Sequence, residues 1–132
     1  MVFPATTAVY AALLTLVFLA LSGWVMARRL SANVLHGTGG DDVLLVRMRS
    51  QANFAEYVPL ALLLVGLLEA HGAARGLIQG LLALLLVARV LHPVGMVAAK
   101  NSAQQFACRG GGILVTMLVM AVAAVALLLR LV

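Results

Sequence analysis

The sequence predicts an all-α integral membrane protein, a bundle of four helices forming a single domain. Of the 132 residues, 64% are apolar and 10% charged, and mean hydropathy is +1.13. A soluble domain is about half apolar and about one quarter charged. Long apolar runs alternate with polar links, and the runs reach the roughly 20 residues that cross the hydrocarbon of a bilayer. The basic residues gather at the ends of those runs, where lysine and arginine set membrane topology. The net charge of +5 and pI of about 10.8 are therefore read as topology and not as a nucleic-acid surface. Trp24 and two tyrosines give little stacking area for bases.

Helices are expected over about 4–29, 41–70, 75–97 and 107–130. The opening MVFPATTAVY has no basic n-region, and the apolar run after it is too long for a signal-peptide h-region. It is read as a retained first membrane helix, with Pro4 suited to its first turn and Arg28 and Arg29 closing it. The link SANVLHGTGGDD ends in Asp41 and Asp42, acids that complement a helix start. The second helix is polar in its first half and apolar in its second, and Pro59 should kink it. His71 and Arg75 lie in the short link to the third helix. That helix carries Arg89 and His92 near its end, and Pro93 predicts a kink or an early stop there. A polar link, VAAKNSAQQF, leads to the fourth helix, which opens near Arg109 and exits at Arg130.

Lysine and arginine near the helix ends divide six against two: Arg28, Arg29, Arg47, Arg49, Lys100 and Arg109 on one side, Arg75 and Arg130 on the other. The positive-inside rule then puts the first and third links in the cytoplasm and both termini outside.

The stretch from Arg47 to Pro59, RMRSQANFAEYVP, is the most polar part of any predicted helix. Such groups at the mouth of a membrane helix are costly and mark a functional site by default. At about 100° per residue, Arg49, Asn53, Glu56 and Tyr57 fall within one arc of roughly 100°. Arg47 and Gln51 lie on nearly the opposite face. Two polar faces call for either a neighbouring subunit or a second helix of the same chain. Arginine offers a fork for carboxylates, asparagine donates and accepts, and glutamate accepts from an ammonium group. Together they match a small zwitterion bearing carboxylates and an amine. The same groups could equally form a polar network that only holds the bundle together.

Arg89 and His92 share a face near the basic end of the third helix. They are read either as walls of that site or as groups pairing with Glu56 and reaching toward water. Arg109, followed by Gly110, Gly111 and Gly112, is read either as a topology anchor or as an anion site at a helix start. His36, His71 and His92 lack ligand spacing, so no metal is expected. Ser102 has no sequence pattern for a catalytic triad, and the lone Cys108 excludes an intramolecular disulfide.

The stretch Arg49-Ser-Gln51-Ala-Asn53-Phe-Ala-Glu56-Tyr57-Val-Pro59 resembles the R-x-Q-x-N-x-x-E-Y-x-P signature of the MAPEG family, the membrane-associated proteins of eicosanoid and glutathione metabolism. Ala27-Arg28-Arg29 resembles the basic end of the family's first helix. Arg89-Val-Leu-His92-Pro-Val-Gly95 and Arg109-Gly-Gly-Gly112-Ile-Leu-Val-Thr116 are similar to patterns of its bacterial members. The resemblance implies a four-helix bundle assembling as a homotrimer, with glutathione held between subunits near the cytoplasmic helix ends. By position it implies that Arg28, Arg49, Gln51, Asn53, Glu56 and Tyr57 bind glutathione, with Arg89 and His92 as further walls. It implies that Arg109 is the catalytic group that stabilises the thiolate, since a nearby cation lowers a thiol pKa. The second substrate would be an apolar electrophile or lipid hydroperoxide entering from the bilayer. Met96 departs from the family, standing where several animal members have tyrosine.

Three functions compete. One is a membrane-bound glutathione transferase, also acting as a peroxidase. Another is a non-catalytic binder of lipid or glutathione. The third is a small multidrug transporter, disfavoured because the first helix has no acid before Arg28.

Overall fold

The structure, a computed structural model, describes residues 2–131. It is all helical among those residues, in the order α1 (Ala5–Ala32), α2 (Asp42–Ala70), α3 (Arg75–Val97), a π-helical turn (Gln105–Gly110) and α4 (Gly111–Leu131). Four helical segments are long and apolar enough to cross a membrane. The protein is an integral membrane bundle.

Each end of α1 is tied to α2. At its start the Thr6 and Thr7 N–H groups donate to the Glu69 carboxylate at 2.9 and 2.8 Å, and the Thr7 hydroxyl adds a third bond at 2.7 Å. Pro4, as N-cap residue, has no side-chain oxygen to do this. A carboxylate from the far end of α2 therefore satisfies the orphan donors and faces the positive end of the helix dipole. The Val2 N–H adds a bond to the Ala70 carbonyl at 3.0 Å. α1 passes Arg28 and Arg29 and closes at Asn33, which adopts the left-handed conformation at φ 53° that asparagine tolerates better than other side-chain-bearing residues.

At that same end Asp41 caps α2. One carboxylate oxygen accepts from the Leu44 N–H at 2.9 Å, and the other pairs with Arg28 at 2.8 Å. Arg29 turns back over the link and donates to the carbonyls of Val34, Leu35 and Gly37. The two arginines that closed the first apolar run thus also fold the link that follows it.

Pro59 and Pro93 are both accommodated within continuous helices. α2 runs through Pro59 to Ala70, and α3 passes Pro93 to Val97, so the early stop predicted at Pro93 does not occur. The fourth helical segment also departs from expectation. Winding begins at residue 103, ahead of the expected 107, because Ser102 caps it: its hydroxyl accepts from the Gln105 N–H at 3.1 Å, while the Gln105 side chain accepts from the Asn101 N–H at 2.9 Å. This is close to a capping box.

The interior is apolar, with Leu14, Phe54, Val58, Ala61, Val65, Leu82, Leu85, Val119 and Ala123 in one cluster. Small residues at Ala61, Ala88, Gly112 and Ala123 let helices approach closely, which in lipid matters more than any water-driven term. Leu16, Leu63, Leu84, Leu118 and Leu128 point outward, as a lipid-solvated surface requires. α2 touches all three other helices, whereas α1 and α4 do not meet.

Candidate functional site

The two polar faces of α2 meet different helices. The Arg47 and Gln51 face packs on α1. Gln51 donates to the Ser22 hydroxyl at 2.8 Å, and Arg47 donates to the Trp24 carbonyl at 2.8 Å while its guanidinium lies 4.8 Å from the Trp24 ring centroid. Of the two explanations left open for a second polar face, a helix of the same chain accounts for these contacts.

The other face divides in two. Asn53 lies on its inner flank and accepts at Oδ1 from Arg89 Nη1 at 2.8 Å. Arg89 is 1% exposed, so it neither reaches water nor pairs with Glu56. Its second terminal nitrogen donates to the Gly112 carbonyl at 2.8 Å. That carbonyl also accepts from the Thr116 hydroxyl at 2.8 Å. Arg89 therefore joins α2, α3 and α4 at one level. His92 is 2% exposed and packs against Gly112, where an added Cβ would lie 3.3 Å from the His92 Cβ. Tyr57 is half-buried on the same flank as Asn53.

Arg49 and Glu56 point outward and are exposed. Among the described residues the one ion pair is Arg28 with Asp41, so these two outward charges are not paired with each other. Glu56 lies fourteen residues into a helix of 29. At about 1.5 Å per residue that is roughly 20 Å along it, a depth at which a lipid-facing carboxylate is costly.

Arg109 sits in the π-helical turn and is exposed. The predicted anion site at a helix start is not formed there, because the capped winding at Ser102 to Gln105 has already used the free end. What places Arg109 is Gly95. A Cβ on Gly95 would collide with the Arg109 backbone nitrogen and lie 2.8 Å from the Cys108 carbonyl carbon. The turn is thus seated directly on α3, one turn beyond His92. π-turns within helical segments recur at functional sites.

The predicted residues therefore form two groups on opposite flanks of α2. Asn53, Tyr57, Arg89 and His92 lie with α3 and α4, near the turn bearing Arg109. Arg28 and Gln51 lie with α1. Arg49 and Glu56 point outward from the helix between them. Sequence reasoning did not single out Ser22 or Trp24 as partners of the second helix, contacts fixed by tertiary structure. It also passed over Ser102-Ala-Gln-Gln105, a capping pattern that was readable.

No cluster of three or more histidine, cysteine or acidic side chains able to hold a metal occurs among the described residues.

Four apolar spans with an inward-tied polar stretch on the second define an integral membrane bundle. The MAPEG family profile matches residues 7–129, and the chain belongs to the MAPEG family. It is similar to the inner membrane protein YecN of Escherichia coli, both in strain K12 and in strain O6:H1, at 32% identity over 89 residues, which is 67% of this chain and 68% of each relative. No solved structure matches.

Proposed function

We propose that the protein is a membrane-bound glutathione transferase, also reducing lipid hydroperoxides, that works as a homotrimer with glutathione between subunits. The observation that carries this reading is the division of the site within one chain. Arg28 and Gln51 lie on the α1 flank of α2, Asn53 and the turn of Arg109 on the α3–α4 flank, and α1 and α4 do not meet. A neighbouring copy that supplies one of these groups would let one small ligand touch both. Such a neighbour also covers the outward charges Arg49 and Glu56, which suit the carboxylates and the ammonium group of the tripeptide. Arg109, exposed in the turn that rests on α3, is the cation that would hold the glutathione sulfur as thiolate. The apolar co-substrate arrives from the bilayer.

The six-to-two charge count supports a site on the cytoplasmic side with both termini outside. The names of the E. coli relatives favour the inner membrane.

The test is a titration of the detergent-purified protein with glutathione, followed by thiolate absorbance and by equilibrium dialysis. The wild type should give a saturable thiolate signal. Arg49→Ala should abolish binding, and Arg109→Ala should keep binding and lose the thiolate. Unchanged binding in Arg49→Ala would sink the site assignment. Binding by the wild type with no thiolate would instead identify a non-catalytic glutathione binder.

A further inference from the structure

Arg89 is a buried cation without a buried anion. Its terminal nitrogens donate to Asn53 Oδ1 and to the Gly112 carbonyl, and its Nε, also buried, has no partner among the described residues. Burying an arginine in apolar surroundings is expensive and is rarely a gain in stability over a well-packed apolar residue of similar size. The arrangement therefore calls for a reason beyond holding helices together.

Chemistry supplies one at Asn53. An asparagine amide has two ends, an acceptor oxygen and a donor NH2, and can in principle present either. Arginine has donors only. An arginine on one side of the amide must face the oxygen, which directs the NH2 to the other side. Asn53 is half-buried on the flank of the candidate site, and its Nδ2 makes no hydrogen bond among the described residues. We propose that Arg89 is a positioning residue that acts through Asn53: it locks the amide so that the site offers a hydrogen-bond donor, and thereby selects an acceptor atom of the ligand at that point.

The same guanidinium holds the Gly112 carbonyl, one turn from Arg109, so the donor at Asn53 and the cation at Arg109 are registered by one side chain. The ligand, on the reading given above, is glutathione, and the acceptor is one of its carboxylate or carbonyl oxygens. The contact between Arg89 and Asn53 is independent of that reading.

The experiment is a double-mutant cycle on full-length protein in detergent, with Arg89→Met, Asn53→Ala and the double variant. Glutathione dissociation constants and thermal unfolding are measured in parallel. Each single variant should weaken glutathione about tenfold, the size expected for a hydrogen bond to a charged group. The double variant should be no weaker than either, and Arg89→Met should unfold at or above the wild-type temperature. Losses that multiply to about a hundredfold, or weakened binding that follows a lowered unfolding temperature, would overturn the proposal.

Asn53→Asp separates this from the functional reading. It should raise the unfolding temperature through a charge-assisted bond to Arg89, and not when Arg89 is Met. It should also lose glutathione, because an acceptor now faces an acceptor. If the wild type does not bind glutathione, the functional reading fails while the stability arm still decides the contact. No stabilisation by Asn53→Asp in the Arg89 background refutes the positioning role.

Discussion

Gly95 of α3 lies flush against the backbone of Arg109, with no room between them for a methyl group. The glycine of the Arg89-x-x-His92-x-x-Gly95 pattern thus has a physical purpose, which is to seat the turn that carries Arg109.

Gly95→Ala is expected to push the π-helical turn off α3. The colliding atoms are backbone, so no side-chain adjustment relieves them. The cost should be about 1–3 kcal/mol, typical of overpacking. Thermal unfolding in detergent should fall, and the glutathione thiolate signal should be lost more severely than glutathione binding. A variant indistinguishable from wild type in both would show that the turn does not rest on Gly95.

The Glu69 carboxylate ties the start of α1 to the end of α2. Glu69→Ala should cost about 1–2 kcal/mol, in the range for loss of a helix cap, and Thr7→Val, which removes one of three bonds, should cost less. Hydrogen exchange should quicken first at the N–H groups of Thr6 and Thr7. Equal protection there in wild type and Glu69→Ala would remove the cap from consideration.

At the other end of α1, the Asp41 carboxyl is held below its ordinary value of 3.8, first by the Leu44 N–H and then by Arg28. A group whose folded pKa is depressed contributes stability above its unfolded value and loses that contribution as pH falls through the folded one. The wild type should therefore lose stability progressively on acidification below about pH 4. Asp41→Asn should be less stable at neutral pH and show a flatter acid limb. Parallel acid limbs for the two proteins would count against this assignment.

Gln51→Leu is expected to be nearly neutral for folding, within about 1 kcal/mol, because hydrogen bonds between membrane helices average roughly 0.6 kcal/mol. A fall in glutathione affinity in that variant, at unchanged unfolding temperature, would mark Gln51 as a ligand group. A large drop in stability would mark the bond to Ser22 as structural.

The spans were legible because hydropathy and the placement of arginine are one-dimensional signals. So were the two faces of α2, which need only the helical period to separate Arg47 and Gln51 from Arg49, Asn53, Glu56 and Tyr57. Their partners were not. Arg89 is close to Asn53 because α3 folds back to a particular depth, and no spacing in the chain encodes that depth. The cap on α1 was hidden for the same reason, since Glu69 is 62 residues from Thr7. The π-turn was invisible to a wheel that assumes a constant period. The Ser102 to Gln105 cap is different, being a local pattern overshadowed by the basic and glycine-rich residues that follow it.

The polar ties described above gather the chain into two hairpins, α1 with α2 and α3 with α4. Arg130 donating to the His71 carbonyl and Arg89 donating to Asn53 are the side-chain hydrogen bonds that cross between them among the described residues. Asn53 therefore sits on a seam, and any molecule gripping its free amino group fastens to one hairpin at the point where it is stapled to the other. Filling the site is expected to stiffen that seam, so that amides along the facing sides of α2 and α3 exchange more slowly when a ligand is present.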